Sequence, residues 1–289
     1  MPQYSRRSFV ARTAGLLPVS MIGFGKEALR ASNLGVELYT VRSIITNDPA
    51  QVLKSIQEMG YKEVEAVFAS LGAIGPALKE SGLKPVSVHI DTALFAEGGG
   101  KLDDAFGQVK QFGFEYAVLP YIPPAQRGGV DTFKKLAETL NKSGEKANAA
   151  GLKLCYHNHA FEFEPLAGTT GIEILMRDTH KDLASLELDI FWASVAGHDP
   201  VAVLKKYSGR VPLLHLKDKK SGQPVQYNEK VTPDTFREIG NGSIDMAAVL
   251  AAAKKSAVRH YFVEQDQTSG SPLDSLRQSY QWLGGHFSS

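Results

Sequence analysis

The chain has a single cysteine, Cys155, so no intrachain disulfide can form and a disulfide-stapled module is excluded. Neither charge sign is in excess. There are 32 Lys+Arg against 31 Asp+Glu, a net of +1, without the basic surplus of a dedicated nucleic-acid binder. Long hydrophobic runs are missing as well. The mildly apolar stretch from Thr13 to Phe24 is too short and too glycine-bearing to be a stable membrane anchor. No Gly-x-Gly-x-x-Gly turn occurs, which removes the usual signature of a dinucleotide-binding fold. Low-complexity tracts and short repeats are absent. What remains is an ordinary globular mixture of 289 residues, 43% hydrophobic and 22% charged, long enough for a sizeable core.

The first 31 residues differ from the rest. Ser5-Arg6-Arg7-Ser8-Phe9-Val10 precedes the mild apolar stretch, and a small-residue region follows to Ala31. A charged start, an apolar middle and a small-residue end describe an export signal, and the paired arginines resemble the twin-arginine type. Residues 1–31 are therefore expected to be a leader that directs an exported, periplasmic protein. They hold five basic groups and one acidic group, so the rest has 27 basic and 30 acidic, a net of −3. Residues 32–289 are expected to form one domain, and the sequence leaves its oligomeric state open.

From residue 34 onward, short β-rich runs alternate with helical patterns. Strands are expected at 35–38, 63–66, 85–89, 116–120, 153–158, 184–189, 211–216 and 260–263. Helices are expected, among others, at 49–59, 130–149, 200–207 and 244–256. In the second of these, Val130, Phe133, Leu136 and Leu140 share one face. Asp48-Pro49, Asp199-Pro200 and Ser243 read as helix starts, and Gly60, Gly82, Gly151 and Gly209 as stops. Eight strand–helix units in about 258 residues match the rhythm of a (β/α)8 barrel. The polar stretch 219–233 is expected as a loop over the barrel mouth.

A barrel of this kind carries its chemistry at the C-terminal strand ends. Glu65, His89, His157, Asn158, His159, Asp189, His215 and Glu264 fall there, with Glu162 just beyond the fifth strand. Carboxylates converging in a barrel mouth repel one another and resist desolvation, and a divalent cation offsets both costs. Oxygen ligands with one imidazole suit Mn²⁺, with Mg²⁺, Co²⁺ or Zn²⁺ as alternatives. Cys155 lies inside the fifth strand and reads as a small packing residue.

Five segments in order carry a resemblance: Gly35–Arg42 (GVELYTVR), Tyr156–Phe163 (YHNHAFEF), Leu186–Trp192 (LELDIFW), Leu213–Asp218 (LLHLKD) and Phe262–Asp266 (FVEQD). Together they resemble the xylose isomerase-like TIM barrel superfamily, and more closely its exported sugar phosphate isomerase/epimerase-type members. The resemblance implies a divalent metal held by residues of the last four strands. Asp189, His215 and Glu264 match three of the ligands. Epimerases of the family have a glutamate at the end of the fifth strand; Glu162 is the nearest carboxylate and takes that place. If Glu162 instead meets substrate, His159 or Asn158 would complete the shell.

The implied reaction is proton abstraction next to a sugar carbonyl through an enediolate. Glu264 is the leading base, and His157, His159 or Glu162 the second. Tyr39, Arg42, Glu65, His89, Asn158, Trp192 and Lys217 are candidate substrate contacts. The main reading is a metal-dependent sugar isomerase or epimerase. Alternatives are a lyase or hydrolase acting on 3-keto-glycosides or a keto-inositol by β-elimination, and a non-catalytic sugar-binding protein. The expected partner is a small sugar or keto-sugar, with no nucleic acid; the superfamily's endonuclease branch fits a near-neutral chain poorly.

Overall fold

A computed structural model describes residues 29–30 and 33–288. The expected leader lies outside the described residues except for Leu29 and Arg30, which pair in parallel with Phe287 and Ser288. Eight strands form the central sheet: β1 (Leu34–Glu37), β2 (Glu63–Val67), β3 (Lys84–His89), β4 (Tyr116–Leu119), β5 (Lys153–His157), β6 (Ala184–Asp189), β7 (Leu213–Leu216) and β8 (His260–Val263). Each pairs in parallel with its sequence neighbours, and β8 pairs with β1, so the sheet closes into a barrel. The expected (β/α)8 barrel is the observed fold.

A main helix follows each strand: α1 (Pro49–Met59), α2 (Leu71–Glu80), α3 (Gly99–Gln111), α4 (Val130–Ala149), α5 (Gly171–Asp178), α6 (Pro200–Lys206), α7 (Met246–Lys255) and α8 (Pro272–Leu283). Local chemistry sets their ends. The Asp48 carboxylate accepts from the Gln51 N–H at 3.0 Å with Pro49 in the first turn, and Gly60 ends α1 at φ +113°, a conformation that favours glycine. Asp199 caps α6 in the same way. The expected start at Ser243 is corrected. Asp245 caps α7 through the Ala248 N–H, while Ser243 Oγ bonds back to the Lys219 carbonyl.

Side chains alternate between the two faces of the strands, except in β3, where a bulge at Val86 interrupts the alternation. The outward set packs under the helices and includes Val36, Val64, Val88, Leu154, Leu186, Leu214 and Val263. The inward set fills the barrel in layers. Near the bottom, His260 Nδ1 lies 2.7 Å from Glu63 Oε2. Above it comes an apolar plug of Val86, Tyr116, Val118, Cys155, Leu213 and Phe262. Cys155 packs here fully buried, which pushes its thiol pKa up. The next inward positions are charged.

Candidate active site

The strand alternation builds the site directly. Two residues beyond the plug on the same faces stand His157 after Cys155, His215 after Leu213 and Glu264 after Phe262; Glu187 and Asp189 share one face of β6. His157, Asp189, His215 and Glu264 each offer one donor atom, and these atoms lie within 4.8 Å of one another. They come from the ends of β5, β6, β7 and β8. Glu65, His89, Glu187 and His215 form a second such group.

The two groups differ in what they are ready to bind. In the Glu65 group, His89 Nε2 is 2.8 Å from Glu187 Oε2, His215 Nε2 is 2.5 Å from Glu65 Oε1, and Ser87 also donates to Glu65. Burial alone would lower the pKa of both imidazoles, but Glu65 and Glu187 outweigh it and hold both well above the usual histidine value. These carboxylates are thus already hydrogen-bonded to the two rings.

In the other group, His157 Nδ1 lies 3.2 Å from the Pro120 carbonyl, so the proton sits on Nδ1 and the Nε2 lone pair is left free. Burial lowers the His157 pKa, partly offset by Asp189. Nε2 is buried, makes no hydrogen bond and faces Asp189 Oδ2 at 3.4 Å. Asp189 Oδ2 has the Lys217 ammonium 2.8 Å away, which leaves the Nε2 lone pair beside it as the group open to a further cation. His215 turns Nδ1 to Glu264 at 2.8 Å while Glu65 holds Nε2 from behind, the carboxylate support that commonly orients a metal-bound imidazole. The donor set of two imidazoles and two carboxylates fits a divalent ion.

Lys217 supplies charge beside this group. Its ammonium lies 2.8 Å from Asp189, 2.6 Å from Glu264 and 3.0 Å from Asp266, and is 2% exposed. Burial would lower its pKa, but the three carboxylates raise it well above the ordinary lysine value. In return, Lys217 and the neighbouring imidazoles keep Asp189 and Glu264 well below the usual carboxylate range despite burial. Burial pushes Asp266 up to about 7, partly offset by Lys217.

A cavity of about 820 Å³ opens over this floor. His89, His157, His159, Trp192, Lys217 and Glu264 line it. His157 and His159 both face it, as their two-residue spacing predicts, with ring centroids 4.9 Å apart. Tyr39 and Arg42 stand at its rim; Arg42 donates to the Tyr39 and Asp266 carbonyls and so ties the β1 loop to the β8 loop. The β7 loop crosses the mouth as expected. Glu229 is clasped by Arg127 at 2.8 and 3.0 Å, and the guanidinium lies over the Phe161 ring. Asp218 folds the base of this loop by accepting from the N–H groups of Lys219, Gly240, Gly242 and Ile244. A Cβ on Gly242 would fall 2.1 Å from Asp218 Oδ1, so only glycine fits there.

Three expectations are corrected. Glu162 belongs to neither donor group: its carboxylate accepts from Tyr156 Oη at 2.6 Å and from the His159 N–H at 2.9 Å, and burial raises it to about 8. It shapes the β5 loop, and His157 stands where the fifth-strand ligand was expected. Asn158 does not line the cavity; it accepts from the Asp189 N–H at 3.0 Å and donates to the Asp189 carbonyl at 3.2 Å, fixing the β5 end to the β6 end. Glu65 lies fully buried behind His215 and not on the cavity wall. Sequence reasoning missed Glu187 and Asp266, although each stands two residues from a named site residue.

Comparison with known proteins agrees with this architecture. A family model described as "Xylose isomerase-like TIM barrel" matches residues 100–285. The inosose dehydratase of Clostridium perfringens (strain 13 / Type A) is 33% identical over 163 residues, 53% of this chain and 54% of that protein. The chain thus matches about half the length of such curated relatives. A sugar phosphate isomerase/epimerase from Parabacteroides distasonis ATCC 8503 superposes with a TM-score of 0.72 at 21% identity, covering 86% of this chain and 92% of that one. An IolI protein with a bound zinc atom superposes with a TM-score of 0.70 at 16% identity, covering 89% and 100%. Among the described residues, no helix is long and apolar enough to cross a membrane. The chain belongs to the xylose isomerase-like TIM barrel family.

Proposed function

We propose that this protein is a divalent-cation-dependent enzyme acting on a sugar or cyclic polyol that bears a ketone. It removes the proton next to the carbonyl and expels the oxygen substituent one carbon further on. The observation that carries the reading is the four-donor group His157, Asp189, His215 and Glu264, with the unpartnered His157 Nε2 facing Asp189. A bound divalent cation would polarise the carbonyl and favour loss of the neighbouring proton. The zinc in the IolI structure and the name of the Clostridium relative support the cation and the elimination. The metal itself is proposed as Mn²⁺ or Zn²⁺.

The protein groups divide the work. Glu264 lines the cavity as an ionised carboxylate and takes the carbon-bound proton. His89 also lines the cavity, Glu187 and Glu65 at its Nε2 raise its pKa well above the ordinary histidine value, and it serves as the proton donor to the departing oxygen. In this step a C–H and a C–O bond break, a C=C bond forms beside the carbonyl, and water or an alcohol leaves. Lys217 steadies charge on substrate oxygens. Epimerisation is the second reading; with Glu162 turned away and His157 in its place, the pair of opposed carboxylate bases it would use is missing. We further propose, on the Arg6-Arg7 segment, that the protein acts outside the cytoplasm; a reporter fused behind residues 1–31 and assayed for export tests this.

The cation-loaded protein, incubated with a keto-inositol and with 3-keto-glucosides, is expected to give a conjugated enone, seen by ultraviolet absorbance, and a product lighter by water or by the alcohol. Configuration change alone, with solvent deuterium incorporated at carbon, would replace elimination by epimerisation.

A further inference from the structure

The cavity has two unlike zones. Its floor is polar: His89, His157, Lys217, Glu264 and Asp266. Around its mouth stands an apolar collar of Tyr39, Phe68, Leu94, Tyr121 and Val231. These five side chains come from the loops after β1, β2, β3, β4 and β7, and all are partly or largely open to solvent. Phe68, Leu94, Tyr121 and Val231 pack against the core on one side and line the cavity on the other, and Tyr39 is exposed. Among the described residues, Tyr39 (42%) and Val225 (59%) are the large hydrophobic side chains left exposed, and Tyr39 is on the cavity rim. Arg42 covers one face of its ring at 4.0 Å.

The cations lining the cavity are already engaged. Lys217 is held by three carboxylates, and Arg42 by two backbone carbonyls. Asp91, Glu229, Glu264 and Asp266 line the same space. Lys217 is ion-paired and Arg42 is tied to the loop backbone, and the four carboxylates oppose a phosphate. The volume of about 820 Å³ lies toward the upper end of small-molecule sites, roughly 300–1,000 Å³, and has room for two rings.

We propose that the cavity takes an uncharged aryl glycoside, its sugar ring, ketone-bearing in the substrate that turns over, on the polar floor and its aromatic group in the collar of Tyr39, Phe68, Leu94, Tyr121 and Val231. This names the substrate class of the proposed enzyme and rests on that reading for the floor. An aromatic group entering the collar loses water from its faces and meets ring edges and aliphatic carbon. A methyl glycoside leaves the collar wet.

Isothermal titration of the cation-loaded full chain with phenyl β-D-glucopyranoside, methyl β-D-glucopyranoside and D-glucose 6-phosphate tests this. The phenyl glucoside is expected to bind at least about tenfold more tightly than the methyl glucoside, with no binding of the phosphate. Tyr39→Ser, at an exposed position where folding is little affected, should cut the ratio of phenyl to methyl glucoside affinity severalfold. Phe68→Ala should do the same, with its melting curve checking the fold. Equal affinity for the two glucosides, tightest binding of the phosphate, or no heat with the phenyl glucoside overturns the proposal. The enone assay on the same preparation separates the two ideas. Elimination without aryl preference sinks the collar alone, and aryl preference without turnover of any ketone sinks the enzymatic reading.

Discussion

The plug and the charged layer above it sit one strand pleat apart. Cys155, Leu213 and Phe262 are apolar; His157, His215 and Glu264, two residues on, are titratable and almost equally buried. The plug returns stability for its burial. The charged layer returns little, because each desolvated carboxylate needs an imidazole or ammonium to offset its cost. One alternating pattern therefore carries two uses, and depth in the barrel decides which.

That contrast can be broken at several points. Chelation of divalent ions should abolish turnover reversibly while the melting curve of the chain persists; loss of the fold on chelation would make the charged layer as structural as the plug. Glu264→Gln should lower turnover by about 10³-fold, with a melting temperature near that of the parent. Phe262→Ala should reverse this pattern, costing about 3–5 kcal/mol in chemical denaturation while the folded fraction still binds the cation. Glu65→Gln should weaken cation affinity by roughly 10–100-fold in a competition titration, because His215 loses the carboxylate behind it. Cys155→Ala should cost only about 1 kcal/mol and leave cation affinity unchanged.

The sequence shows the barrel well, because its strands are β-rich runs and several follow a helix-ending glycine, as at Gly60, Gly82, Gly151 and Gly209, and such signals are local. It shows Asp189, His215 and Glu264 for the same reason: each ends a strand. Position along a strand does not give depth across the barrel, which depends on how the tilted strands stagger. Glu65 therefore reads as a cavity residue although it lies behind His215, a partner 150 positions away. Glu162 leaves the cavity because the loop after β5 turns tightly through Phe161–Phe163, which sends it back to Tyr156 and the His159 N–H, and Asn158 is turned instead to the Asp189 backbone, 31 positions away. His157 was legible as a residue facing the cavity; the lone pair freed by the Pro120 carbonyl was not.

Lys217 has a consequence for the order of events in the protein's life. Many small metal sites stay unfolded until their ion arrives, since the bare ligands repel. Here an ammonium carried by the chain already lies against Asp189, Glu264 and Asp266. On the proposed cation-dependent reading, the barrel can therefore close first and take up an ion afterwards, and loss of that ion would leave behind a finished receptacle instead of an opened chain.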